Sequence, residues 1–219
     1  MASGRAGRGA MALVCAVLAF TAVPARAEPP GLPQSAAPVV HTAPIVHTRA
    51  GAVRGTAGEG YRTFEGIPYA APPVGSLRWT PPHPARPWRG VRDATRPAGA
   101  CPQSAGEVPG GSTTEDCLYL NVTTPDAART DRPRPVIVWV HGGGFTTGAG
   151  SSYDAHRLAA RGNVVVVTLN YRLGALGFFA HSGLPGSGTF GLADQQAALR
   201  WVRANIGAFG GDRHNLTLA

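Results

Sequence analysis

His141, Gly142, Gly143, Gly144 and Phe145 follow directly on an apolar run at residues 135–140 (PVIVWV), and this is where the sequence concentrates its chemistry. Three consecutive glycines, lacking Cβ atoms, let the backbone turn tightly and bring its N–H groups close to a bound group. Such amides can hold an oxygen that gathers negative charge when a carbonyl is attacked, where a single donor is worth about 3 kcal/mol in the transition state. A plain flexible Gly turn would have the same composition, so the flanking sequence has to decide. Two further residues could do chemistry together: Cys101 and Cys117. An oxidising compartment makes a disulfide their default. A metal pair or a reactive thiol is the alternative, but no further Cys and no His stands at ligand spacing nearby.

For the glycines to present their amides, a sheet must hold them. Residues 135–140 and 163–171 (NVVVVTLNY) are continuous apolar runs rich in β-branched residues, which predicts strands buried on both faces of a parallel or mixed sheet. Between them, residues 151–154 resemble a helix start and Gly162 a stop, giving a strand–helix–strand unit. A longer helix is predicted from about Leu192 to Ile206, with Leu192, Leu199, Val202 and Ile206 on its apolar face. Gly207 and the Gly210-Gly211 pair end it, and residues 215–219 (NLTLA) begin another buried strand. Upstream, residues 53–56 and 61–64 read as small antiparallel strands, followed by a Pro-rich loop over 71–97. Trp79, Trp88, Trp139 and Trp201 are assigned to packing.

Composition excludes several classes. Hydrophobic residues at 43% and charged residues at 15% supply a core and rule out disorder, while 30 Gly and 20 Pro predict long ordered loops. The net charge of +8 comes from 20 basic side chains that are all Arg and are scattered, so there is no basic stripe for nucleic acid. Arg without Lys instead fits GC-rich bacterial coding. Residues 1–27 read as an export signal: Arg5 and Arg8, an apolar run over 11–23, and Ala25-Arg26-Ala27 as the cleavage site. That run is too short for a membrane anchor, which needs about 20 residues. Removing Arg5, Arg8 and Arg26 lowers the charge from +8 to +5 and removes Cys15, leaving the even pair Cys101 and Cys117. The expectation is a secreted protein with no membrane association after cleavage, a flexible lead-in over 28–44, and one folded unit over 45–219.

Gly186-Ser187-Gly188-Thr189-Phe190-Gly191 spells G-x-G-x-x-G, but it follows a loop instead of a strand and no acid stands at a strand end about 20 residues on, so no dinucleotide is expected. No cofactor or metal is expected either. Asn121 and Asn215 head glycosylation sequons that fall on predicted strands, where occupancy is not expected.

From residue 45 onward the chain resembles the type B carboxylesterase and cholinesterase-like family. The resemblance is carried by residues 64–70 (FEGIPYA), 72–75 (PPVG) and 77–79 (LRW), by 115–122 (EDCLYLNV), and by the HGGGF stretch. It continues through 170–174 (NYRLG), 191–195 (GLADQ), 201–202 (WV) and 209–212 (FGGD). The resemblance implies an α/β-hydrolase fold, present in its N-terminal part, and serine acyl transfer on a small-molecule ester. It implies that Gly143 and Gly144 give the oxyanion-hole amides, that Cys101 and Cys117 form a disulfide, and that Arg78 with Glu115 and Arg172 with Asp194 form buried structural ion pairs. His141 precedes the glycines and is structural, since the triad on this fold runs in the order Ser, acid, His.

Two departures from the family pattern bear on function. No G-x-S-x-G turn, the family's seat for the nucleophile, occurs in the 219 residues, so the chain as given is expected to be inactive alone, with Ser, acid and His lying beyond it. The segment 102–116, closed by the two Cys, contains no aromatic residue, which disfavours a quaternary ammonium ester. The alternative to an ester hydrolase is a catalytically inert esterase-fold module for binding or adhesion.

Overall fold

The computed structural model describes residues 43–128 and 131–219; the segment expected to be an export signal and nearly all of the expected lead-in over 28–44 lie outside the described residues. The strands are β1 (Ile45–His47), β2 (Ala52–Arg54), β3 (Thr56–Gly58), β4 (Tyr61–Pro68), β5 (Val91–Asp93), β6 (Tyr119–Pro125), β7 (Arg134–Val140), β8 (Val165–Leu169) and β9 (Gly211–Leu218). The helices are α1 (His156–Gly162), α2 (Gly174–Phe178) and α3 (Phe190–Asn205). β1, β2 and β5 make a small sheet, and the main sheet runs in the order β3-β4-β6-β8-β7-β9. Its first half is antiparallel, through β3, β4, β6 and β8. Its second half is parallel, with β7 between β8 and β9.

This order makes β7 a point where the chain reverses direction across the sheet. The path from β7 through α1 reaches β8 on one side, and the path from β8 through α3 returns past β7 to β9 on the other. Right-handed crossovers in opposite directions put their helices on opposite faces. Val136 and Val138 accordingly share the core with Ala198, Val202 and Ile206, whereas Ile137 and Trp139 line a recess with Leu158 of α1. Ligands of open α/β sheets bind outside the carboxyl ends of the strands at such a reversal. The carboxyl end of β7 is where the three glycines stand.

Burial departs from the sequence expectation in β7 but not in β8. All five β8 residues are buried, as their Val-rich run predicts. In β7 only Val136 and Val138 are, because the short α1 leaves much of its face of the sheet uncovered. Trp139 is therefore 36% exposed instead of packed in the core, and Leu158 of α1 is 46% exposed. Helix α3 buries Phe190, Asp194, Ala198, Trp201 and Val202, while Leu192, placed on that face by spacing, is exposed. The helix predicted over 151–162 becomes a 3-10 turn at Gly150–Ser152 followed by α1, whose first turn begins where the Asp154 carboxylate accepts from the His156 N–H at 2.9 Å. Helix α2 carries no sequence signal that length or spacing would flag.

Candidate active site

At the end of β7 the chain enters the glycine turn. Gly143 sits at φ +106° and Gly144 at φ +60°, backbone conformations that L side chains rarely adopt. The turn closes on the Gly143 carbonyl, which accepts from the Thr146 N–H at 3.0 Å, the Thr147 N–H at 3.2 Å and the Thr146 hydroxyl at 3.0 Å. With the carbonyl drawn back into the turn, the Gly143 and Gly144 amides find no acceptor among the described residues. Gly143 is half-buried and Gly144 exposed. Beside Gly144 lies an apolar recess of about 410 Å³ lined by Phe145, Ala175, Phe178 and Phe179.

His141 fixes the entry to this turn. Its ring is buried, stacks on Tyr171 with centroids 4.5 Å apart, and holds Nδ1 at 2.8 Å from the Gly142 carbonyl oxygen. A carbonyl only accepts, so Nδ1 carries the proton. Nε2 is buried without a partner among the described residues, which suits the bare lone pair of a neutral ring. Burial pulls the imidazole below its ordinary value, with the Gly142 hydrogen bond and the Glu107 charge acting in the opposite direction. The Tyr171 hydroxyl donates to the His141 carbonyl at 2.9 Å, pinning the strand end.

The far limb of the turn is held by two side-chain amides that sequence reasoning does not single out. Gln103 and the Gly148 backbone donate to each other at 2.8 Å in both directions. Asn170 accepts from the Gly150 N–H at 2.9 Å and donates to the Gly99 carbonyl at 3.1 Å. Amide side chains in loops carry no periodicity, and only their place next to Cys101 and within the NYR stretch could draw attention to them. Cys101 and Cys117 are joined by a disulfide and both are buried.

The two ion pairs differ in kind. Arg172 meets Asp194 through Nε and a second guanidinium nitrogen, each at 2.8 Å, and the Asp194 carboxylate also accepts the Arg172 backbone N–H at 3.1 Å. Both side chains are almost fully buried, at 2% and 0% exposure. Burial raises the Asp194 carboxyl while the Arg172 guanidinium opposes the shift. Arg78 meets Glu115 at 2.6 Å, but with the Arg78 side chain 41% exposed this pair lies at the surface, a correction to the expectation of burial. The Pro-rich loop carries Arg78 over the outside of the molecule, where its guanidinium lies 5.8 Å from the Trp79 ring. The G-x-G-x-x-G segment leads into α3, and Gly191 is there for packing: a Cβ on it would stand 2.5 Å from the Phe178 ring. Among the described residues no group of His, Cys, Asp or Glu could hold a metal ion, and no helix is long and apolar enough to cross a membrane.

The ends of β7 and β9 complete the geometry. The Val140 N–H donates to the Ala219 carbonyl at 2.8 Å and the Ala219 N–H to the Val138 carbonyl at 3.0 Å. The carboxyl end of β9 thus lies immediately beside the start of the glycine turn.

The model of the Carboxylesterase family matches residues 42–219. Para-nitrobenzyl esterase of Bacillus subtilis is 50% identical over 185 residues, covering 80% of this chain and 37% of that protein. Cocaine esterase of Oryctolagus cuniculus is 45% identical over 192 residues, again covering 80% of this chain and 36% of that protein. A solved para-nitrobenzyl esterase superposes with a TM-score of 0.74 at 50% identity, over 81% of this chain and 38% of that one. This chain therefore spans less than two fifths of the length of the relatives it matches.

Proposed function

The chain belongs to the carboxylesterase family and has the N-terminal part of the α/β-hydrolase fold, and from that premise we propose that it supplies the oxyanion-hole part of a secreted serine carboxylic-ester hydrolase. In this reading a serine on a G-x-S-x-G turn attacks the ester carbonyl. The Gly143 and Gly144 amides take the oxygen that becomes negative, and the acyl-enzyme is then hydrolysed by water. The observation that carries the proposal is the pair of unengaged amides at the carboxyl end of β7, directly beside the carboxyl end of β9. A residue following β9 would emerge next to those amides, which is where an attacking group has to stand. The apolar recess beside Gly144 suits the hydrocarbon part of a small ester. Residues 1–27 would direct export. Without a G-x-S-x-G turn among its 219 residues, this sequence is proposed to be inactive by itself.

Two experiments test this. The reading frame beyond the Ala219 codon should encode a G-x-S-x-G turn within a few residues; another residue in place of Ser would favour an inert binding module. In the second, residues 43–219 are joined to the remaining length of the Bacillus subtilis para-nitrobenzyl esterase, whose sequence is 50% identical over the shared part. The chimera should hydrolyse a p-nitrophenyl ester, whereas residues 43–219 alone should not. A folded chimera with no turnover would refute the proposal.

A further inference from the structure

The glycine turn is not self-supporting, and the way it is held gives the disulfide a part in the chemistry. Gln103 stands two residues after Cys101. Its carboxamide Oε1 accepts the Gly148 N–H and its Nε2 donates to the Gly148 carbonyl, both at 2.8 Å; Nε2 also reaches the Cys101 carbonyl at 3.0 Å. One side chain therefore satisfies both backbone groups of Gly148 while gripping the backbone of the disulfide cysteine. The backbone of Gln103 is itself fixed, exchanging hydrogen bonds of 2.9 Å with Ser112 in both directions inside the loop that the disulfide closes.

Gly148 in turn bears on the oxyanion turn. It is buried at φ +112°, and its α-carbon faces the His141 ring so closely that a Cβ would stand 2.3 Å from Nδ1 and 2.8 Å from the Gly142 carbonyl oxygen. Gly148 is thus the back wall against which His141 orients Gly142, immediately before Gly143 and Gly144. Thr147, next to Gly148, is one of the two residues whose N–H groups close the turn on the Gly143 carbonyl, the other being Thr146. A continuous set of contacts runs from the Cys101–Cys117 bond through Gln103 and Gly148 to the two donor amides.

We propose that Gln103 is a positioning residue of the oxyanion hole, and that through it the Cys101–Cys117 disulfide holds the Gly143 and Gly144 amides in place. The proposal rests on the reading of those amides as oxyanion donors. Gln103 touches no reacting atom; its role is to keep the turn from opening. A primary amide donates and accepts in the paired geometry Gly148 requires without having to take up a proton. A carboxylate would accept from the Gly148 N–H but repel the Gly148 and Cys101 carbonyls, whereas a protonated carboxyl both donates and accepts.

The test uses the esterase chimera described above, with hydrogen exchange of residues 142–149 as a readout independent of turnover and kcat against KM as the second. Gln103→Ala should speed exchange of that segment and lower kcat at nearly constant KM, each by about tenfold, chiefly from losing the two hydrogen bonds to Gly148. In Gln103→Glu the exchange excess over wild type should be present at pH 7 and shrink as the pH falls below the carboxyl range, a signature that a merely structural residue would not give. Reducing the disulfide in wild type should open the same segment, and reduction of Gln103→Ala should add little further effect. Exchange and kcat within twofold of wild type in Gln103→Ala would overturn the proposal, as would unchanged exchange on reduction of wild type. If wild-type chimera folds but shows no turnover, the oxyanion reading fails, and the exchange measurements still decide what Gln103 holds. If turnover is abolished by Gly143→Ala but indifferent to Gln103→Ala, only the positioning role is lost.

Discussion

The three glycines make a graded prediction, because the structure gives each a different reason for being glycine. At Gly143 an added methyl would lie 2.1 Å from the Thr147 carbonyl oxygen and 2.7 Å from the Thr147 carbonyl carbon. That neighbour is backbone and closes the turn, so it cannot swing aside as a side-chain tip would. At φ +106° an L residue would also be strained. Gly143→Ala must therefore open the turn and displace the donors, and loss of an oxyanion donor lowers kcat by about 10²–10³-fold. At Gly144 an added methyl meets nothing within 4 Å, and only the left-handed φ of +60° is left to act. That conformation costs an L residue about 1–2 kcal/mol, which limits the loss in Gly144→Ala to roughly five- to thirtyfold. Gly142 has open space around its Cβ direction and no left-handed φ, so Gly142→Ala should stay within about twofold of wild type. KM for a p-nitrophenyl ester should change little across the series, since the interaction forms in the transition state. The assay is steady-state hydrolysis by the chimera, with thermal unfolding to verify that each variant is folded. The reasoning is refuted if Gly142→Ala is as damaging as Gly143→Ala, or if Gly143→Ala keeps more than a tenth of kcat.

Other consequences follow from burial and charge. Removing one partner of the buried Arg172–Asp194 pair, as in Arg172→Ala, should destabilise the fold by about 3–5 kcal/mol in denaturant unfolding of the chimera. Arg78→Ala, at the exposed pair, should stay within about 1 kcal/mol of wild type in the same measurement. Because burial depresses the His141 pKa, the unfolded chain takes up a proton at a higher pH than the folded one. Stability from this residue is complete above the unfolded value of about 6.5 and is lost as pH falls toward the lower folded value. The thermal midpoint of wild type should accordingly drop more between pH 7 and 5 than that of His141→Gln. Strand β9 has no partner on its outer edge among the described residues, and Leu218 is 60% exposed there. Residues 28–219 expressed alone should self-associate in size-exclusion chromatography, and a sharply unfolding soluble monomer would count against this account of the sheet.

What could be read in the sequence was what local chemistry and near neighbours determine. The HGGG stretch is legible because three glycines in a row have few uses after a buried strand, and β8 is legible because all five of its residues face covered surfaces. β7 carries an apolar run as well, yet only two of its seven residues are buried, because burial of the second face depends on how much helix the topology lays over it. Composition cannot report that, which is why Trp139, a packing residue by its type, is 36% exposed. Arg78 and Glu115 show the limit from another side: a family pattern predicts that two charges meet, but whether they meet under protein or under water is set by where a Pro-rich loop runs. Gln103 marks the furthest reach of the problem. Its partner Gly148 is 45 residues away in sequence, and the bond between them joins an irregular loop to an irregular loop, where neither period 2 nor period 3.6 exists to be detected. The glycines are legible as candidate oxyanion donors; the residues that hold their turn are distributed over segments that only the fold brings together. Alanine at Gln103 should therefore impair the turn although Gln103 is remote from the glycines in sequence and contributes no group to the reaction.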